Sequence, residues 1–114
     1  MTLTRKFKDL VKSRADRDPK FRAALLQEAV EAFVRGDTAE GKSTLRTYVN
    51  ATLGFEELGK RVGKRPQSLM RMLSPSGNPT ADNLFALIAS LQKQEGVTLD
   101  IATRPTAMKR IVRV

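Results

Sequence analysis

Cysteine, histidine and tryptophan are absent from these 114 residues, and tyrosine occurs once. Without Cys there is no disulfide scaffold and no thiol nucleophile. Without Cys and His together there is no ordinary zinc site, and without His no imidazole base. No cofactor and no metal ion is therefore expected. Five Phe and one Tyr leave the core to Leu, Val, Ile, Ala and Met, which favours packed amphipathic helices over a sandwich of β-branched and aromatic strands. No apolar run is long enough to span a membrane. The opening Met1-Thr2-Leu3-Thr4-Arg5-Lys6 lacks the hydrophobic stretch of a signal peptide, so a cytoplasmic location is the default expectation.

What the chain has in excess is positive charge. Twenty-one Lys and Arg stand against twelve Asp and Glu, a net charge of +9. Such a balance draws phosphate-bearing partners through counterion release, which makes nucleic acid the first partner class to test. The alternative is that the lysines only keep the chain soluble.

Hydrophobic spacing divides the chain into helices. Phe7, Leu10, Val11 and Ala15 recur at three- and four-residue steps, predicting a helix over residues 4–15 whose other face carries Arg5, Lys6, Lys8, Lys12 and Arg14. This basic arm could bind DNA, bind a partner through Phe7, Leu10 and Val11, or pack on the core. Asp18-Pro19 then restarts a helix, with Asp18 as cap and Pro19 in its first turn. Its stripe is Phe21, Leu25, Ala29, Ala32 and Phe33, with Leu26 and Val30 beside it, and Gly36 is its stop. Asp37, with Glu40 three residues on, makes a box-like start for the next helix. That helix carries Leu45, Tyr48, Val49, Thr52 and Leu53 on one side and ends at Gly54.

A short helix is predicted from Phe55 to Val62, with Glu56–Lys60 and Glu57–Arg61 paired four apart. Gly63 breaks it, and Pro66 opens a second short helix reaching about Leu73. Ser74-Pro75-Ser76-Gly77-Asn78-Pro79 reads as a loop. Thr80 caps the last strong helix, where Ala81, Leu84, Phe85, Leu87, Ile88, Ala89 and Leu91 cover most of the circumference and predict a helix at the centre of the core. Gly96 ends it. Val97–Ile101 alternates as a strand does, and residues 108–114 are either a second strand folded back on it or a basic tail. The organisation expected is a basic helical arm over 1–17, a helix-turn-helix domain over 18–101 and a basic tail over 102–114. The fold class expected is all-α, with five to six helices and a short C-terminal strand or hairpin.

The segment 55–73 carries the functional argument. Two short helices crossing steeply need a small residue where their backbones meet, which Gly59 supplies, and a left-handed residue in the turn, which Gly63 supplies. Leu58, Val62, Leu69 and Met72 then point inward. This is the spacing of a helix-turn-helix, and it resembles that of phage-repressor-like regulators, which implies a lambda-repressor-like core. Two positions depart from the pattern. Lys64 stands where an apolar residue is usual after the turn glycine, and Arg65 stands where a polar cap would precede Pro66. Free amides and positive charge together suit a phosphate. If the second helix enters the major groove, Gln67, Ser68 and Arg71 meet base edges, Gln matching adenine and Arg matching guanine. Lys60, Arg61, Lys64 and Arg65 would hold the backbone and set register. An ordinary helical hairpin with a solvated basic face is the plainer alternative.

The run Gly-Phe-Glu-Glu-Leu, then Ser68-Leu69-Met70-Arg71-Met72-Leu73-Ser74-Pro75-Ser76-Gly77-Asn78-Pro79, an apolar helix and a final Val-Thr-Leu resembles the addiction-module antidote proteins, helix-turn-helix antitoxins of the HigA type. The resemblance covers residues 44–101, and the Leu-Ser-Pro-x-Gly-Asn-Pro element is its most specific part. It implies an antitoxin that binds a small basic toxin protein, an mRNase, and represses the shared operon as a homodimer. For the loop, one reading is phosphate contact through Ser76, Gly77 and Asn78, and the other is a rigid connector. A strand over 97–101 could pair with its symmetry mate and build the dimer.

The functional expectation is a sequence-specific DNA-binding regulator rather than an enzyme. A small basic RNase would need general acid–base groups, and no such pairing is visible without His or Cys. The remaining rival is a protein-interaction module with a basic surface and no sequence-specific DNA role.

Overall fold

The computed structural model describes residues 5–106. Among these the chain is all-helical and forms no strand: α1 (Arg5–Arg17), α2 (Pro19–Val34), α3 (Thr38–Ala51), α4 (Gly54–Val62), α5 (Pro66–Met72) and α6 (Ala81–Glu95). No helix among them is long and apolar enough to cross a membrane.

The helix starts follow from local hydrogen bonding. Asp18 accepts the Phe21 amide at 3.1 Å, with Pro19 opening α2 behind it. That bond holds the Asp18 carboxyl below its ordinary range against the opposing effect of burial, and Arg14 adds to the lowering. Asp37 accepts the Glu40 amide at 3.2 Å, but the Glu40 carboxylate accepts the Thr44 hydroxyl, so the expected box is half made. Thr80 accepts the Asn83 amide at 3.1 Å and starts α6.

Helix α3 lies at the centre, packed against α1, α2 and α4. Its Leu45, Tyr48 and Val49 are fully buried with Leu26 and Ala29 of α2, Leu58 of α4, Leu69 of α5, Leu73 just after it, and Leu87 and Leu91 of α6. Each such leucine contributes about 1.5–3 kcal/mol by leaving water. A carboxylate is buried beside them. The Glu95 carboxylate, 3% exposed, accepts Arg22 Nε at 2.9 Å and the Tyr48 hydroxyl, while Arg22 also reaches the Ala15 carbonyl at 2.6 Å. This ties α6, α2, α3 and the end of α1 together.

Two expectations are corrected. Helix α6 is one-sided rather than central: Leu87, Ile88 and Leu91 are buried, whereas Ala81 and Ala89 are exposed and Phe85 is 61% exposed. Its breadth of apolar residues exceeds the single face that α2 and α4 can cover. Helix α1 packs on α2 and α3, one of the three roles left open for it, with Ala15 buried, Val11 half-buried and Arg14 stacked 4.7 Å from the centre of the Phe21 ring, while Phe7 and Leu10 are exposed. Residues 97–101 form no strand. A strand needs a paired edge for its amides, and here α6 takes two of them: Val97 donates to the Gln92 carbonyl at 3.0 Å and Leu99 to the Gln92 side chain at 2.8 Å. The hairpin expected over residues 108–114 lies outside the described residues.

Candidate nucleic-acid interface

The turn between α4 and α5 is set by two glycines. Gly63 is left-handed, with φ +70°, a region that side-chain-bearing residues rarely occupy. The Gly59 carbonyl accepts the Gly63 and Lys64 amides at 2.8 and 3.0 Å, drawing the turn back over α4. A Cβ on Gly59 would lie 2.5 Å from the Lys64 carbonyl oxygen, so the close approach is to the turn itself. Arg65 is extended and forms no side-chain cap. Leu58 and Leu69 are fully buried and Val62 and Met72 are half-buried, so the pair is held from beneath as the spacing predicts.

The outer surface of α5 carries exposed Gln67, Met70 and Arg71. Beside it lies a groove of about 550 Å³ between α5, the following loop and the start of α6. Lys64, Arg65 and Arg71 supply three cations to its walls, and Ser68, Ser76, Asn78 and Asn83 supply neutral hydrogen-bonding groups; no carboxylate of the described residues lines it. A second groove of about 400 Å³ shares Lys64 and Arg65 and adds Lys60, with Glu56 on its wall.

Six of the nine residues expected from sequence thus surround one groove: Lys64, Arg65, Ser68, Arg71, Ser76 and Asn78. Lys60 lines the adjoining groove. Gln67 lines neither, standing exposed on α5. Arg61 is tied to Glu57 at 3.3 Å and lines neither groove; Glu56 and Lys60 form no matching pair among the described residues.

The loop over 74–79 is packed against α5. A Cβ on Gly77 would collide with the carbonyl oxygens of Arg71 and Met72, and Ser74 Oγ donates to the Arg71 carbonyl at 2.7 Å. From the other side, Lys42 Nζ donates to the carbonyls of Pro75 and Gly77, at 3.2 and 2.6 Å, and Arg46 donates to that of Leu73.

Sequence reasoning missed Asn83, Lys42 and Arg46. Lys42 had a readable signal: it stands three residues before Leu45 and seven before Val49, on the buried stripe of α3, where a lysine is out of pattern. Asn83 had none beyond its place three residues after a capping threonine.

Chemically the arrangement is an anion-attracting edge. Among the described residues no group of three or more His, Cys, Asp or Glu side chains could hold a metal ion. Compared with models of known families, with curated proteins and with solved structures, the chain matches none.

Proposed function

We propose that the chain is a sequence-specific DNA-binding regulator, with α4 and α5 acting as a lambda-repressor-like helix-turn-helix. One observation carries this reading. The exposed face of α5 stands beside a groove to which the described residues bring three cations, four polar side chains and no carboxylate. In this reading α5 lies in the major groove, where Gln67, Ser68 and Arg71 meet bases. Lys64, Arg65, Ser76 and Asn78 hold one backbone, Lys60 extends that contact, and Arg61 joins it by exchanging Glu57 for phosphate.

The regulator is further proposed to be a cytoplasmic antitoxin that represses its own type II toxin–antitoxin operon and binds a small basic toxin. That part rests on the resemblance of residues 44–101 to HigA-type antitoxins. A homodimer would engage two half-sites about one helical turn apart. The segment 97–101 supports pairing with a second copy: Val97 and Leu99 turn their amides to α6, those of Thr98 and Asp100 have no partner among the described residues, and Ile101 is 79% exposed.

A second reading, a protein-interaction module, is favoured by one observation, the 49% and 63% exposure of Phe7 and Leu10 on the basic helix α1.

Fluorescence anisotropy separates the two. The duplex upstream of the gene is compared with a scrambled duplex at several salt concentrations, for the wild type and Arg71→Ala. A preference for the upstream duplex that Arg71→Ala abolishes, with weak salt-dependent binding surviving, is the expected result. Equal and strongly salt-dependent binding to both duplexes would leave only a basic surface.

A further inference from the structure

Lys42 is 8% exposed, and its ammonium lies among main-chain carbonyls rather than beside a carboxylate. Burying an ammonium is costly unless its donors are satisfied, and hydrogen bonds from a charged donor are among the stronger ones. The two carbonyls it binds, of Pro75 and Gly77, flank Ser76, the residue at the tip of the loop that walls the cation-lined groove. Arg46, one turn further along α3, binds the Leu73 carbonyl where the loop leaves α5. Carbonyl oxygens repel phosphate. Turning three of them toward α3 removes negative dipoles from the groove and fixes where Ser76 and Asn78 stand on its wall.

We propose that Lys42 is a positioning residue for phosphate binding. Without touching the anion, it anchors the loop carbonyls inward so that Ser76 and Asn78 face a phosphate held by Lys64, Arg65 and Arg71. The proposal rests on the reading of that groove as a phosphate-binding edge. It concerns the loop alone and is independent of which bases α5 reads.

The test uses the full chain and two probes, inorganic phosphate and a short mixed-sequence duplex. Amide NMR shifts of Ser76, Gly77 and Asn78 are followed during each titration for the wild type and Lys42→Met, with the leucine methyl signals of the core reporting the fold. The wild-type loop amides are expected to shift with both probes. In a folded Lys42→Met they should lose that response, with duplex affinity falling about tenfold. A double-mutant cycle excludes a merely structural role: once Lys42 is Met, the Ser76→Ala/Asn78→Ala change should cost no further affinity. Should Lys42→Met fail to fold, Lys42→Gln, whose amide keeps two N–H donors but no charge, takes its place and is expected to lose part of the response.

A folded variant whose loop amides respond as the wild type does would overturn the proposal, as would full additivity in the cycle. A wild-type loop silent to both probes would overturn it too, even if the upstream duplex is still preferred. Loop response to phosphate with no preference among duplexes would support it while removing the sequence-specific regulator.

Discussion

Helix α3 and the α4–α5 edge are both rich in cations, and they use them in opposite ways. On α3, Lys42 and Arg46 donate to main-chain carbonyls of the following loop. On the edge, the side chains of Lys60, Lys64, Arg65 and Arg71 make no ion pair or hydrogen bond with any described residue, and Arg61 keeps only an exposed pair with Glu57. A cation whose donors are satisfied inside the protein offsets its own desolvation and becomes part of the fold. A cation left in water adds little to stability, since exposed pairs are worth about 0–1 kcal/mol, and keeps its charge for an outside anion. The +9 charge is thus not a uniform coat. One part of it builds the loop and another part faces out beside it.

The contrast breaks most visibly in the interior. Arg22 is a third inward cation, bonded to the nearly fully buried Glu95. Glu95→Gln removes the counter-charge while keeping the shape, so Arg22 and the Tyr48 hydroxyl lose their shared anionic acceptor. The expected loss is about 3 kcal/mol of unfolding free energy, measured by urea denaturation. A loss under ~1 kcal/mol would mean that the inward cations are not structural. At the edge the expectation reverses. Lys64→Ala combined with Arg65→Ala should change stability by no more than ~0.5 kcal/mol. The same double variant should flatten the salt dependence of duplex binding by about two counterions. Loss of folding with an unchanged salt slope would exchange the two roles.

The same contrast explains what the sequence made legible. Most features governed by neighbours along the chain could be read: the Asp18, Asp37 and Thr80 starts, the left-handed Gly63, and the four-step Glu57–Arg61 pair, though not its expected companion Glu56–Lys60. The grouping of Lys64, Arg65, Ser68 and Arg71 was readable because they lie on one short helix and the turn before it. The larger failures depended on distant partners. The apolar circumference of α6 looked central, yet Phe85 is exposed because no helix among the described residues covers that side. The alternation over 97–101 looked like a strand, yet Gln92 captures its inward amides. Lys42 binds carbonyls 33 and 35 residues away. Its lysine identity shows only that a solution had to exist, not which loop supplies it.

The smallest effect at neutral pH concerns Tyr48, and it sharpens the interior half of the comparison. Burial raises the pKa of this phenol above its ordinary value, and the hydrogen bond to Glu95 and the charge of that carboxylate raise it further; Arg22 opposes them weakly. Because the folded value lies above the unfolded value of about 10, the contribution to stability is complete below that pH. It is lost as pH rises beyond it, since the unfolded phenol releases its proton first and draws the equilibrium with it. The chain has no tryptophan and a single tyrosine, so phenolate absorbance reports Tyr48 alone. During an alkaline titration that absorbance should rise together with the loss of helical circular dichroism. Tyr48→Phe should show a shallower fall in stability above the same pH. A phenolate signal appearing near the ordinary value in a chain that keeps its helices would mean the hydroxyl opens to water. The Arg22–Glu95–Tyr48 group would then be no more interior than the cations at the edge.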